Sequence, residues 1–438
     1  MNSISFQARR DAFFRKIEGG VAIIPAQPEI IRNHDVHFPF RQDSSFFYLT
    51  GFNEPDAIAV FRNVGGKKEY ILFVRPRHEE KEIWTGRRCG VDGAVSQFAA
   101  DKAYSVEEFE CHTQEIFKGA ESVYFTLRRT HEDLVLRMME SYRQSLGRSG
   151  RGMLALKDAH EIIGEMRVRK SNDELDRLRH AGSISSKAHM EAMARCRPGL
   201  NEYQIAALIE YAFLEQGAQR LGYNSIVAAG ENATVLHYVE NCKPLKDGDL
   251  LLIDAGAEYD YYTADITRTF PINGKMTPEQ KELYEIVLSV QLECLAMAKP
   301  GATLSSIHLF AVEQLTEAMI RLKFLTGNKK DLIQSNAYKR FYPHGTGHLL
   351  GMDVHDAGLY TINGEPRKLE VGMVFTVEPG FYVRPYDTSV PERYRGIGIR
   401  IEDNVAITST GHEIMTSAAL KSVQDMQSII GSKPWLSF

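Results

Sequence analysis

Residues 250–270 read Leu250-Leu251-Leu252-Ile253-Asp254-Ala255-Gly256-Ala257-Glu258-Tyr259-Asp260-Tyr261-Tyr262-Thr263-Ala264-Asp265-Ile266-Thr267-Arg268-Thr269-Phe270. The apolar run into Asp254 predicts a strand buried on both faces. If Tyr259-Asp260 turns the chain, the second strand returns with Asp254 directly opposite Asp265. Cross-strand Cβ atoms lie about 4.5–5.5 Å apart, and like charges there repel. A bridging cation converts that repulsion into attraction. A merely polar hairpin with two solvated aspartates is the competing interpretation, and the buried character of Leu250–Ile253 argues against it.

The pattern recurs downstream. Leu245-Lys246-Asp247-Gly248 precedes Asp254-Ala255-Gly256, and Leu369-Glu370-Val371-Gly372 precedes Glu378-Pro379-Gly380. Farther upstream, Arg197-Pro198-Gly199-Leu200 and Lys299-Pro300-Gly301-Ala302 each separate two helical patterns. We infer two similar halves packed face to face, each giving a carboxylate hairpin. Asp254 then corresponds to Glu378, and Asp265 to Glu402. Glu402 closes Gly396-Ile397-Gly398-Ile399-Arg400-Ile401-Glu402, where strict alternation turns the isoleucines to a core and Gly398, Arg400 and Glu402 the other way. Arg400 is either a strand-face ion-pair partner or a group that orients the neighbouring ligand; the glycines, which leave room on that face, favour the second.

A lone histidine is more often structural than catalytic. In His344-Gly345-Thr346-Gly347-His348, however, small residues let backbone and imidazole approach a ligand closely. His355, in Asp353-Val354-His355-Asp356, and His237 are further candidates. One of these histidines completes a metal shell, and the others donate hydrogen bonds to a substrate or its tetrahedral intermediate. His34, His131 and His180 are assigned to surface or core. Four carboxylates and one imidazole in the order Asp254, Asp265, His348, Glu378, Glu402 can hold two divalent ions side by side. By ligand hardness the set suits Mn²⁺, with Zn²⁺ and Co²⁺ as alternatives.

Several stretches carry a family resemblance: Ile253-Asp254-Ala255-Gly256, Ala264-Asp265-Ile266-Thr267-Arg268-Thr269, His344-Gly345-Thr346-Gly347-His348, Asp353-Val354-His355-Asp356, Val377-Glu378-Pro379-Gly380 and Gly398-Ile399-Arg400-Ile401-Glu402-Asp403. The chain resembles the pita-bread metallopeptidases, and among them the Xaa-Pro aminopeptidases (aminopeptidase P), with prolidases as close kin. Phe40-Arg41-Gln42-Asp43-Ser44 and Tyr48-Leu49-Thr50-Gly51-Phe52 resemble that family's creatinase-like N-terminal domain. Glu82-Ile83-Trp84-Thr85-Gly86-Arg87-Arg88 and Pro391-Glu392-Arg393-Tyr394-Arg395-Gly396 are more similar to bacterial aminopeptidase P than to prolidase.

The resemblance implies an α/β (α+β) chain. Residues 1–166 would form the N-terminal creatinase-like domain. Residues 167–438 would form a catalytic pita-bread domain, with a pseudo-twofold curved antiparallel sheet backed by helices. It implies that Asp254 chelates one metal, that Asp265 and Glu402 bridge two, and that His348 and Glu378 complete the shells. His237, His344 and His355 match residues around the substrate, Arg400 matches an arginine supporting Glu402 and the site entrance, and Tyr382 matches a tyrosine near the site. The expected reaction is attack of a metal-bridging hydroxide on the bond before proline. Its amide is tertiary and lacks an N–H. His237 or His355 would stabilise the oxyanion or fix the proline side. Glu378 would carry the proton to the leaving nitrogen. Prolidase action on Xaa-Pro dipeptides is the rival activity. A non-catalytic peptide-binding relative and a metal-free creatinase type are disfavoured because all five ligand positions are filled.

At 438 residues the chain accommodates two domains. A net charge of −5 leaves no broad basic footprint for nucleic acid. Five scattered cysteines without a C-x-x-C pair suit a reducing compartment. No apolar leader or membrane-length run is expected, so cytoplasm is the expected location, with peptides as partners and no membrane. Strands are expected at Val21–Ile24, Ile58–Phe61 and Tyr70–Val74, the last two joined at Gly65-Gly66. Ser171/Glu174, Asn201/Gln204 and Thr277/Gln280 are expected to start helices. Phe38, Phe40, Phe46, Phe47, Tyr48 and Phe52 are expected in the domain core. Trp84 is assigned either to a core or to a subunit interface of a homodimer or homotetramer.

Overall fold

The computed structural model describes residues 6–126, 131–149 and 152–432. Two compact units divide the chain, the first ending at Met166 and the second beginning at Arg167.

The first unit is built on a six-stranded mixed sheet. Its central strand Gly20–Pro25 pairs antiparallel with Ile58–Val64 and parallel with Ser122–Phe125. Lys67–Val74 returns antiparallel along Ile58–Val64, with Val64 opposite Lys67. Gly65 and Gly66, at φ 61° and 78°, make that two-residue turn, a geometry that side chains with a Cβ resist. Val21, Ile23, Val60 and Phe73 pack against Phe109, Phe117, Met138 and Tyr142. Phe46, Phe47, Tyr48 and Phe52 are buried as expected. Phe40 is only half-buried, and Phe38 does not join them. It is 52% exposed, just past the short exposed hairpin of Ile31–Asn33 and Val36–His37, whose strands have no buried face.

In the second unit the helix starts follow the expected capping. Asn172–Arg195, Glu202–Glu215 and Pro278–Met297 open on capping boxes at Ser171/Glu174, Asn201/Gln204 and Thr277/Gln280. A further box at Thr303/Ser306 opens Leu304–Arg321. The first two helices pack on each other, as do the last two. Ile184, Ile209, Val287 and Leu315 join Leu251, Ile253, Phe375 and Val405 in one core. Burying a side chain of that size is worth about 1.5–3 kcal/mol, so this core fixes the helices behind the sheets.

Each half contributes an acid-bearing antiparallel pair. Leu250–Asp254 pairs with Thr267–Pro271, and Val374–Val377 pairs with Asp403–Ile407. The second ladder continues into Gly380–Tyr382 against Gly398–Arg400. The two halves meet where the Glu402 amide donates to the Thr267 carbonyl at 3.1 Å and the Asp265 amide donates to Asn404 Oδ1 at 3.0 Å.

The expected register of the first hairpin is corrected by two residues. Asp254 lies opposite Thr267, not Asp265. The turn is Asp260-Tyr261, with φ 49° and 70°, and Tyr259 pairs with Tyr262. Positive φ at both central positions gives the primed turn whose twist matches the flanking strands. Asp254 and Asp265 therefore remain on one face but stand diagonally, at about 7–8 Å by general strand geometry. In the second half Val377 lies opposite Asp403 and Gly380 opposite Arg400. Glu378 and Glu402 thus fall opposite each other between them. The internal correspondence shifts accordingly: Thr267, not Asp265, holds the ladder place of Glu402.

Candidate metal centre and active site

Five side chains gather from the ends of these ladders. Asp254 ends its strand, Asp265 precedes the return strand, Glu378 follows Val374–Val377, and Glu402 sits between Gly398–Arg400 and Asp403–Ile407. His348 comes from the loop Thr346–Leu349, which is pinned to the sheet because Thr376 N–H donates to the His348 carbonyl at 2.9 Å. Close approach requires glycine here: a Cβ on Gly347 would lie 1.9 Å from the Thr376 carbonyl oxygen, and one on Gly398 would lie 2.2 Å from that of Ala233.

All five line one cavity of about 470 Å³, together with His237, His344, His355 and Arg400. His237 and His355 are exposed at its mouth. Tyr382 lies behind the wall: its hydroxyl meets His344 Nε2 at 2.8 Å and accepts from Arg400 Nη1 at 3.0 Å. Arg400 also donates to Asp254 Oδ2 at 2.5 Å and to Thr267 Oγ1 at 3.0 Å. Thr267 in turn donates to Glu402 Oε2 at 2.7 Å. Arg400 therefore touches Asp254 directly and reaches Glu402 through a threonine.

The electrostatics are those of carboxylates buried side by side. Burial, then Asp265, Glu378 and Asp254, push the Glu402 carboxyl well above the usual carboxylate range. Burial and Asp254 raise Asp265. Burial carries Glu378 up to about 7, against the opposing pull of His348 and Arg400. Burial draws His348 down, but its hydrogen bond and proximity to Asp265, with Glu378, outweigh this and lift it to about 9. Burial, followed by Arg400, holds His344 near 3, so that imidazole is neutral. Burial and His348 lower His355.

These donors fit divalent cations. The ligating atoms of Asp265, His348 and Glu402 lie within 4.8 Å of one another. His348 Nδ1 is 3.1 Å from the Leu349 carbonyl, which fixes the proton there and leaves Nε2 its lone pair. That Nε2 faces Asp265 Oδ2 at 3.3 Å and Glu378 Oε1 at 3.5 Å. A lone pair aimed at two carboxylates needs a proton or a metal between them.

Sequence reading missed Tyr223. Its hydroxyl donates to Asp254 Oδ1 at 2.6 Å and also contacts Asp265 Oδ1, tying together the two acids that the register leaves diagonal. Asn404, which holds the Asp265 backbone from both sides, and Thr376, which donates to Glu378 Oε1 at 3.2 Å, were missed too. Tyr223 is 31 residues from Asp254 and carries no periodic signal, so nothing local marks it.

Residues 176–409 match the model of metallopeptidase family M24, and residues 6–124 match that of the aminopeptidase P N-terminal domain. Xaa-Pro aminopeptidase of Escherichia coli (strain K12) is 40% identical, over 97% of this chain and 97% of that protein. Proline aminopeptidase P II from Yersinia pestis superposes with a TM-score of 0.94 at 41% identity, covering 98% of this chain and 99% of that one. Zinc-substituted E. coli aminopeptidase P in complex with product gives a TM-score of 0.93 at 40% identity, with the same coverage.

Proposed function

This chain belongs to metallopeptidase family M24, and from that premise we propose that it acts as an Xaa-Pro aminopeptidase, removing the N-terminal residue from peptides whose second residue is proline. The observation that carries the reading is the convergence of Asp254, Asp265, His348, Glu378 and Glu402 in a single cavity. These five residues would hold the metal. The carboxylate-rich set suits two ions of Mn²⁺, and Zn²⁺ or Co²⁺ can take the same donors. When bound, such cations acidify water to a nucleophile near neutral pH and polarise a carbonyl.

The chain's own residues supply the rest. Glu378, which lines the cavity with Oε1 3.5 Å from His348 Nε2, is placed to take a proton from water and hand it to the departing proline nitrogen. Like any amide nitrogen, it must gain a proton to leave as an amine. The substrate's free amine lies on the side of Asp254, which Arg400 holds in place. Tyr382 links Arg400 to neutral His344, whose position keeps that wall rigid. His237 and His355, at the cavity mouth, donate to the substrate on its proline side. Tyr223 sets the spacing of Asp254 and Asp265.

Residues 1–166 serve as the N-terminal domain and residues 167–438 as the catalytic one. Ile83 and Trp84 are 81% and 87% exposed on Glu79–Thr85, a helix with no buried residue. This supports a homodimer or homotetramer with that helix covered by a neighbouring copy, and light scattering measures it. All five cysteines are free, which fits the cytoplasm. Among the described residues, no helix is long and apolar enough to cross a membrane.

The test is a matched pair, Xaa-Pro and Xaa-Pro-Yaa, offered to metal-stripped protein with and without Mn²⁺. Metal-dependent release of Xaa mainly from the tripeptide is expected. Preference for the dipeptide makes the enzyme a prolidase, and cleavage of neither with metal bound refutes the reading.

A further inference from the structure

His355 has no hydrogen-bond partner among the described residues. It is exposed at the cavity mouth, and its ring stands edge-on to His348 with centroids 4.5 Å apart. Its backbone must therefore fix it. The next residue, Asp356, is firmly held. Its amide donates to the Leu349 carbonyl at 2.9 Å, and its carboxylate is 1% exposed. One oxygen accepts from Arg167, and the other accepts from Lys170 Nζ at 3.0 Å. Both cations are buried too, at 3% and 1%. Arg167 also reaches Asp353, at the front of the same loop, at 2.6 Å.

Lys170 is itself fixed. Its amide donates to the Gly372 carbonyl at 2.8 Å, and the Gly372 amide donates to the Ile407 carbonyl at 2.9 Å at the end of the acid-bearing sheet. Gly372 sits at φ 87°, where a Cβ would also press on the Lys170 carbonyl at 2.9 Å. Gly351 lies so close to Asp356 that a Cβ would come within 2.2 Å of Oδ2. The chain of support runs from the sheet through Gly372 and Lys170 to Asp356, and ends one residue from His355.

We infer that Asp356, clamped between Arg167 and Lys170, is a positioning residue for His355 in the aminopeptidase reaction. A buried ion pair is weak evidence of stabilisation, because desolvation offsets most of the attraction. A carboxylate with two buried cations and a glycine cut to its shape specifies geometry instead. The inference rests on the proposed role of His355 at the substrate.

The experiment is a double-mutant cycle on the metal-loaded full chain, with Asp356→Asn, His355→Ala and the pair, cleaving Ala-Pro-Ala at matched metal content. Misplacing a substrate-contacting group by about 1 Å costs on the order of 100-fold, so Asp356→Asn and His355→Ala should each lower kcat/KM by about that factor. In the His355→Ala background, Asp356→Asn should cost less than about threefold, since coupled residues fail to add. The His355 ring resonance, assigned by its loss in His355→Ala, should shift in zinc-loaded Asp356→Asn. Losses that multiply in the double variant, or an unmoved His355 resonance, overturn the inference. Full activity of His355→Ala alone refutes the role of His355, and the resonance then still decides whether Asp356 positions it. If Asp356→Asn does not fold, Lys170→Gln replaces it in the same cycle with the same criteria.

Discussion

Gly256→Ala tests the geometry of the acid hairpin most directly. A Cβ at this position would lie 1.8 Å from the Ala264 carbonyl oxygen, where a carbon–oxygen contact needs about 3.3 Å. The obstacle is backbone, so no rotamer change relieves it. The strands would have to part at the two neighbouring bonds, Ala255 N–H to the Ile266 carbonyl at 3.1 Å and Ala264 N–H to the Ala257 carbonyl at 3.0 Å. Ala255, Ala257, Ala264 and Ile266 are all fully buried, so water cannot replace those bonds. Each buried polar group left unpaired costs about 1–3 kcal/mol, and the two bonds involve four such groups, which puts the substitution on the order of 4–12 kcal/mol. For a unit of this size that corresponds to a fall of about 10 °C or more in the unfolding midpoint. Asp254 and Asp265 flank the displaced segment, so metal affinity should fall at least about tenfold. The assay is calorimetric unfolding with metal titration, using Gly411→Ala as control, since a Cβ there meets nothing within 4 Å. If Gly256→Ala matched Gly411→Ala in both midpoint and affinity, the register and the close approach would be wrong.

Three further outcomes are expected. Glu378→Gln should retain peptide binding but lower kcat by about 10²–10⁴, the usual worth of a proton-transfer group; full turnover with metal bound refutes the shuttle. Glu378, lifted to about 7, and His348, lifted to about 9, both hold protons more tightly in the fold than in the unfolded chain. Their stabilisation is present at low pH and is lost as pH rises through those values. The metal-free protein should therefore have a lower unfolding midpoint at about pH 9 than at about pH 7, and added metal should restore more at the higher pH; a flat or rising profile contradicts the acid-cluster account. Tyr223→Phe removes the hydroxyl that joins Asp254 to Asp265, and Mn²⁺ affinity measured by titration calorimetry should drop by about 10–100-fold.

Local rules made much of this protein readable in its sequence. Ser171, Asn201 and Thr277 begin helices because caps satisfy orphan N–H groups within four residues. Alternation along Ile397–Glu402 turns Ile399 and Ile401 into the core and Arg400 to the cavity because side chains alternate across a strand. The identity and order of Asp254, Asp265, His348, Glu378 and Glu402 already pointed to a metal-dependent hydrolase, since no apolar surrounding tolerates four carboxylates without cations. Phe38 shows the limit of composition: an aromatic residue beside a buried cluster can still face solvent when its hairpin has no buried side.

Tertiary structure decided what depends on partners far along the chain. The Asp260-Tyr261 turn, chosen by positive φ at two residues that carry no glycine, moved the register by two and made Asp254 and Asp265 diagonal. Tyr223 then spans them from outside the hairpin. Arg167 and Lys170 find Asp356 across 189 and 186 residues. Such contacts leave no period in the sequence, because what selects them is the space and charge left when the two halves close on one another.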